Sequence, residues 1–208
     1  VYLYGTGKRI KKFLKFNYPK TDHGRPNRHA RYFTAGPLAV IILVAHYKGG
    51  VSLVNRERLV AGFMNMVRVG SESGREGRMA GLLKQKLEEL GLEVRIDGAA
   101  QKTGTETGNL IARLPGNVNT PAVLFCAHMD TVAPGCGIEP VEENGVIRSA
   151  GETILGADDK AGIAAILEAV RAIKENNLPH GDLELVFTIC EETGLSGVKF
   201  LDFSALKA

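Results

Sequence analysis

ADDKAGIAAILEAVRAIKENNLPHGDLELVFTICEE, residues 157–192, decides the fold. From Ala161 to Asn176 it places Ile163, Ile166, Leu167, Val170 and Ile173 on one stripe at three- and four-residue steps, the spacing of an amphipathic helix. A Pro179-His180-Gly181 loop follows, in which His180 reads as a plain surface residue. Leu183–Ile189 (LELVFTI) then reads as a buried strand that stops at Glu191-Glu192. Working back toward the amino terminus, Val123–Ala127 (VLFCA) is a continuous apolar run, expected to be a strand buried on both faces, and it delivers His128 at its carboxyl end. Leu110–Leu114 and Leu92–Ile96 read as two more strands. Glu76–Leu90 carries Met79, Leu82, Leu83, Leu87 and Leu90 at helical steps and is closed by Gly91. Ser71–Gly74 (SESG) forms a turn, and before it Asn55 caps a helix bearing Leu59, Phe63, Met64 and Met66. Helices alternating with apolar strands predict an α/β fold, an αβα sandwich with a largely parallel central sheet. Polar residues at the carboxyl ends of such strands lie where open α/β sheets bind ligands.

Composition marks a boundary. The 208 residues are 44% hydrophobic and 24% charged, the balance of an ordinary globular protein, yet the net charge of +3 is unevenly spread. Residues 1–50 hold ten Lys and Arg against Asp22 alone, leaving sixteen basic and twenty-two acidic residues in 51–208. The basic pI therefore describes neither part and carries no argument for a nucleic-acid partner. Residues 1–50 lack helical or strand period, so they form a basic leader: an unstructured tail, a targeting segment, or upstream sequence outside the domain. Residues 51–208 form the folded part. The apolar stretch Ala35–Ala45 is too short to cross a bilayer, which takes about 20 residues, so no membrane partner is expected. Cys126, Cys136 and Cys190 are too few and scattered for a disulfide framework, which points to a reducing cytoplasm.

Three clusters end these elements: His128-Met129-Asp130, Gly156-Ala157-Asp158-Asp159-Lys160 and Glu191-Glu192. Singly, each has an ordinary reading, as a surface turn, a helix N-cap and a solvated acidic pair. Together they offer the imidazole and carboxylate ligands that a hydrolytic zinc site needs, with room for water. His128 supplies the imidazole, and Asp130, two residues on, can accept the proton of its other ring nitrogen. Asp158 can bridge two cations with its two oxygens, while Asp159 can instead cap the following helix. Glu191 and Glu192 leave the strand in different directions, so one can bind metal while the other handles a proton.

The HMDTV, GADDKAG and EETG segments, in this order and spacing, resemble peptidase T and its relatives among the dinuclear zinc metallopeptidases that include carboxypeptidase G and aminoacylase; SESGREG at 71–77 is similar to the family's early turn. The resemblance covers residues 52–208. It implies a zinc-dependent exopeptidase-like fold with two divalent metal ions, zinc or cobalt. By that likeness His128 binds one metal, Asp158 bridges both, Glu192 binds the second, Asp130 orients His128 and Glu191 is the general base. It also implies a cis Asp158-Asp159 peptide. The implied activity is hydrolysis of short peptides, of the aminopeptidase or tripeptidase type, by a metal-activated water. In the family a further carboxylate ligand, a lid or dimerisation domain and a final His follow these motifs. The 208 residues are thus expected to be an amino-terminal fragment, inactive alone, of an enzyme for which a homodimer is open. Two alternatives stand beside this reading: a non-catalytic α/β remnant, and an amidohydrolase acting on N-acyl amino acids.

Overall fold

The computed structural model describes residues 53–208 and the backbone of Tyr2 and Leu3; the rest of the basic leader, with Ala35–Ala45, His23, His29 and His46, lies outside the described residues. In chain order the elements are β1 (Tyr2–Leu3), α1 (Arg56–Val67), α2 (Gly77–Glu89), β2 (Glu93–Ile96), α3 (Ala99–Thr103), β3 (Leu110–Leu114), β4 (Val123–His128), β5 (Pro140–Glu143), β6 (Val146–Ser149), α4 (Ala157–Glu175) and β7 (Leu183–Thr188). The 3-10 turns Val198–Phe200 and Phe203–Ala205 follow.

The local signals behave as the sequence predicts. Asn55 Oδ1 accepts the Arg58 amide at 2.9 Å and opens α1. Gly91 takes φ +73 after α2, and the Leu92 amide returns to the Leu87 carbonyl, closing that helix. The short α3, the β5–β6 hairpin, β1 and the two 3-10 turns were not anticipated. Asn144 and Gly145, both at positive φ, turn that hairpin, and the Asn-Gly pair is a sequence signal for it. The two residues of β1 pair parallel with β6.

The main sheet has the order β2-β3-β7-β4. Only β4 and β7 run parallel, whereas β2/β3 and β3/β7 are antiparallel, so the sheet is mixed rather than largely parallel. The cause is connectivity: β4 reaches β7 through the long crossover containing α4, and only such a crossover lets consecutive partners run the same way. One core joins Phe63 and Met66 of α1, Met79, Leu83 and Leu87 of α2, and Ile163, Ile166 and Val170 of α4. These pack onto Leu110 and Ala112 of β3 and onto Leu185 and Phe187 of β7. The alternate residues Ile111 and Val186 face the other way and meet Leu201, Val198 and Leu206. Among the described residues, helices thus cover one face of the sheet and 3-10 turns the other.

Strand β7 is buried at every position, as expected of a central strand. Strand β4 corrects an expectation, because Val123 (44% exposed), Leu124 (38% exposed) and Cys126 are not buried on both faces. Among the described residues it lies at the sheet edge, with hydrogen-bonded neighbours on the β7 side alone. An apolar run reports residue type and carries no information on a strand's place in its sheet. Among the described residues no helix is long and apolar enough to cross a membrane.

Candidate metal centre

The parallel β4–α4–β7 unit explains why three distant clusters meet. A parallel crossover brings the carboxyl ends of both strands and the amino end of the linking helix to the same edge. His128 is the last residue of β4, Asp158 sits in the first turn of α4, and Glu191-Glu192 follow β7. His128 stands opposite Thr188 in register. One candidate ligand atom from each of His128, Asp158 and Glu192 lies within 4.8 Å of the other two. The His128 Nε2 to Asp158 Oδ1 distance is 3.1 Å. Two donors on one tetrahedral zinc, each bonded at about 2.0 to 2.1 Å, stand about 3.3 Å apart, so this donor set fits a divalent cation.

The opposite face of the imidazole is fixed. His128 Nδ1 lies 2.9 Å from the Asp130 carbonyl oxygen and 3.4 Å from Asp130 Oδ1, which leaves Nε2 as the outward donor atom. The Asp130 carboxylate is fully buried. Its Oδ1 accepts the Glu191 amide at 2.9 Å, and its Oδ2 accepts the Glu192 amide at 3.2 Å and the Ser73 hydroxyl at 2.6 Å. Asp130 therefore locks the two glutamates to the histidine. Burial alone would raise its carboxyl, but the hydrogen bonds from His128, Ser73 and the two amides outweigh it and hold the group below its ordinary value.

Around the next aspartates the backbone departs from helix. Asp158 and Asp159 have non-helical torsions within α4, and the peptide between them is cis, as the resemblance implies. Asp158 projects outward with 85% of its side chain exposed. Asp159 takes the capping role left open by the sequence, its Oδ1 accepting the Gly162 amide at 3.1 Å. Burial raises its carboxyl to about 6, against the pull of the His128 charge. Burial and the like charges of Asp158, Glu191 and Asp130 also raise Glu192, again against His128. Lys160 is fully buried and donates to the Val69 carbonyl at 2.7 Å, anchoring the turn to the residues before the SESG segment. Glu191 is half-buried beside this cluster. The centre is open to water at the exposed Asp158 and Glu192, and a separate cavity of about 210 Å³ lies between α1 and α4 along Arg58, Met66, Leu167 and Arg171. His180 is far off, because its loop adjoins the amino ends of β4 and β7, where the Val123 amide bonds the Asp182 carbonyl.

Sequence reasoning gave the SESG segment no chemical duty, yet it braces the centre. Ser71 Oγ donates to the Met129 carbonyl at 2.8 Å, Ser73 Oγ to Asp130, and Glu72 Oε1 accepts the Gly135 amide at 2.8 Å. Buried Asn109 was also missed; its side chain bonds Asp97, the Gly197 carbonyl and the Ile189 amide, fixing the end of β7. The SESG turn's polar residues were visible in the sequence, but nothing there placed their partners some sixty residues away.

A sequence profile of peptidase family M28 matches residues 109–202. Peptidase T of Escherichia coli is 33% identical over 196 aligned residues, covering 73% of this chain and 46% of that protein. The crystal structure of aminopeptidase PepT from Bacillus cereus superposes with a TM-score of 0.74 at 46% identity, covering 76% of this chain and 42% of that one. The chain is peptidase T-like. A tripeptidase from Staphylococcus aureus gives a TM-score of 0.73 at 40% identity, with the same coverage of 76% and 42%. The peptidase T-like chain thus spans less than half the length of these relatives.

One consequence concerns pH. Burial pulls the His128 imidazole down, but the hydrogen bonds to Asp130 and Asp158 outweigh it and lift the group to about 9 in the metal-free protein. A raised histidine pKa stabilises the fold fully below the unfolded value of about 6.5 and loses that contribution as pH climbs through 9. A cation at Nε2 must displace this proton, so zinc affinity is expected to rise about tenfold from pH 7 to pH 8. Over the same span the metal-free protein should lose thermal stability. Zinc titrations and melting curves across pH 6.5 to 9 check both signs.

Proposed function

We propose that residues 53–208 are the amino-terminal part of the catalytic domain of a divalent-metal-dependent peptidase that hydrolyses short peptides. The observation that carries this reading is the convergence of His128, Asp158 and Glu192 within 4.8 Å, with Asp130 tying the imidazole to the amides of Glu191 and Glu192. In this reading His128 and Glu192 each hold one of two cations, zinc or cobalt, and Asp158 is shared between them. When bound, such ions polarise a peptide carbonyl and make water acidic enough to react near neutral pH. Asp130 holds Nδ1 so that Nε2 stays directed outward. Glu191 takes the proton of the attacking water and passes it to the leaving amine. Residues 1–50 are proposed to lie outside this core, and limited proteolysis is expected to remove them first, leaving a product that melts as the intact chain does.

The 208-residue protein alone is expected to bind zinc weakly, because the described residues bring three donor groups together and two of them, Asp158 and Glu192, are exposed. Its open centre would also leave water screening the charges that should stabilise a transition state. The experiment is release of amino acids from di- and tripeptides with zinc or cobalt, by this protein and by a longer one containing it. N-acyl amino acids serve as the competing substrate class and His128→Ala as the control. Metal-dependent peptide hydrolysis by the longer protein, lost in the control, supports the reading. Preferential cleavage of N-acyl amino acids would move it to the amidohydrolases, and no metal-dependent hydrolysis of either class would end it.

A further inference from the structure

Glu76 has no part in the chemistry above, yet its side chain is completely buried. Its Oε1 accepts the Gly74 amide at 3.0 Å and the Cys190 amide at 3.0 Å, and the Cys190 thiol donates to the same oxygen at 3.6 Å. Its Oε2 is buried with no hydrogen-bond partner. Burying a carboxylate with one oxygen unsatisfied is costly, so the contacts of the other oxygen have to outweigh that cost. Those contacts reach two segments of one site. Gly74 follows Ser73, whose hydroxyl holds Asp130 Oδ2, and Cys190 precedes Glu191 and Glu192, whose amides hold the same carboxylate. Cys190 itself has φ +51, a left-handed conformation that a non-glycine residue keeps only when its surroundings impose it. The bond from its amide to Glu76, across 114 residues of sequence, is such a constraint.

We propose that Glu76 is a positioning residue: its Oε1, as a shared acceptor at the amino end of α2, sets the turn at Cys190 and so the placement of Glu191 and Glu192. Its bearing on catalysis rests on the roles proposed for those two glutamates, but the positioning does not. What matters is an acceptor oxygen at the right reach, and the negative charge is dispensable. Gln preserves that reach, whereas Asp keeps the charge and falls one methylene short.

The experiment is amide hydrogen exchange on the 208-residue protein and its Glu76→Gln and Glu76→Asp variants, followed by zinc titration of each. In Glu76→Asp the amides of residues 190–192 are expected to exchange about 10- to 100-fold faster while those of Leu183–Thr188 keep their protection. Zinc affinity should fall about tenfold in that variant. Glu76→Gln should stay within about threefold of the parent in both readouts. Unchanged exchange at 190–192 in Glu76→Asp would overturn the proposal, as would equal acceleration across β7, which would make Glu76 a general stabiliser. Glu76→Gln behaving like Glu76→Asp would overturn it too, by showing that charge is what counts. Absence of zinc binding by the parent protein would count against the metal centre alone, since the exchange pattern stands without it.

Discussion

Glu191→Gln, in a full-length protein that carries this segment, is expected to lower peptide turnover by about 10²- to 10⁴-fold, the usual loss when a general base is removed. Metal content should be unchanged, because Glu191 reaches Asp130 through its amide, which the substitution leaves in place. Glu192→Gln is expected to differ in kind. Glu192 belongs to the donor group with His128 and Asp158, so its loss should empty the centre and remove turnover as a consequence. Metal analysis beside steady-state rates separates the two glutamates. A metal-free Glu191→Gln protein with a fully loaded Glu192→Gln protein would exchange their roles.

Asp130→Ala is expected to damage both the fold and the centre. The substitution strands the Glu191 and Glu192 amides and the Ser73 hydroxyl, and it frees the His128 ring. A stranded group costs about 1 to 3 kcal/mol when fully buried and less where water reaches it, as it does at Ser73, Glu191 and Glu192, and these neighbours are coupled, so a loss of about 2 to 4 kcal/mol in unfolding free energy is expected from urea denaturation. Metal affinity should drop about 10- to 100-fold, the usual result of removing the partner that orients a ligating imidazole. Asp130→Asn is the informative companion, since one remaining oxygen can still accept from an amide. Its stability should lie between those of the parent and the alanine variant. If Asp130→Ala binds zinc as tightly as the parent, the orienting role fails even where stability is lost.

What the sequence made legible followed local periodicity and residue chemistry. The stripe from Ile163 to Ile173, the Asn55 cap and the Gly91 closure each reveal themselves within a few residues, and all three stand in the structure. The three residues that the structure brings together, His128, Asp158 and Glu192, stood out for a related reason: each lies at or just beyond the end of a strand or at the start of a helix. Sheet geometry was not. That β3 pairs antiparallel with β7, some seventy residues on, depends on long-range packing that no local window carries, and the edge position of β4 follows from the same pairing. Buried polar braces were illegible as well. Glu76 reads as the ordinary first residue of a helix, and only the folded chain shows its oxygen bonded to residue 190.

The register of β4 against β7 also governs where this sequence can change length. Side chains alternate faces along a strand, so one residue inserted between Val123 and Ala127 would turn His128 to the opposite side of the sheet or push it out of line with Thr188. The same insertion in the exposed stretch before β4 would spare that register, at a small entropic cost together with the bonds that hold Gly116 and Asn117 to residues 178–182. A change of length is therefore better tolerated before β4 than within it, where substitution leaves the placement of His128 intact and insertion does not.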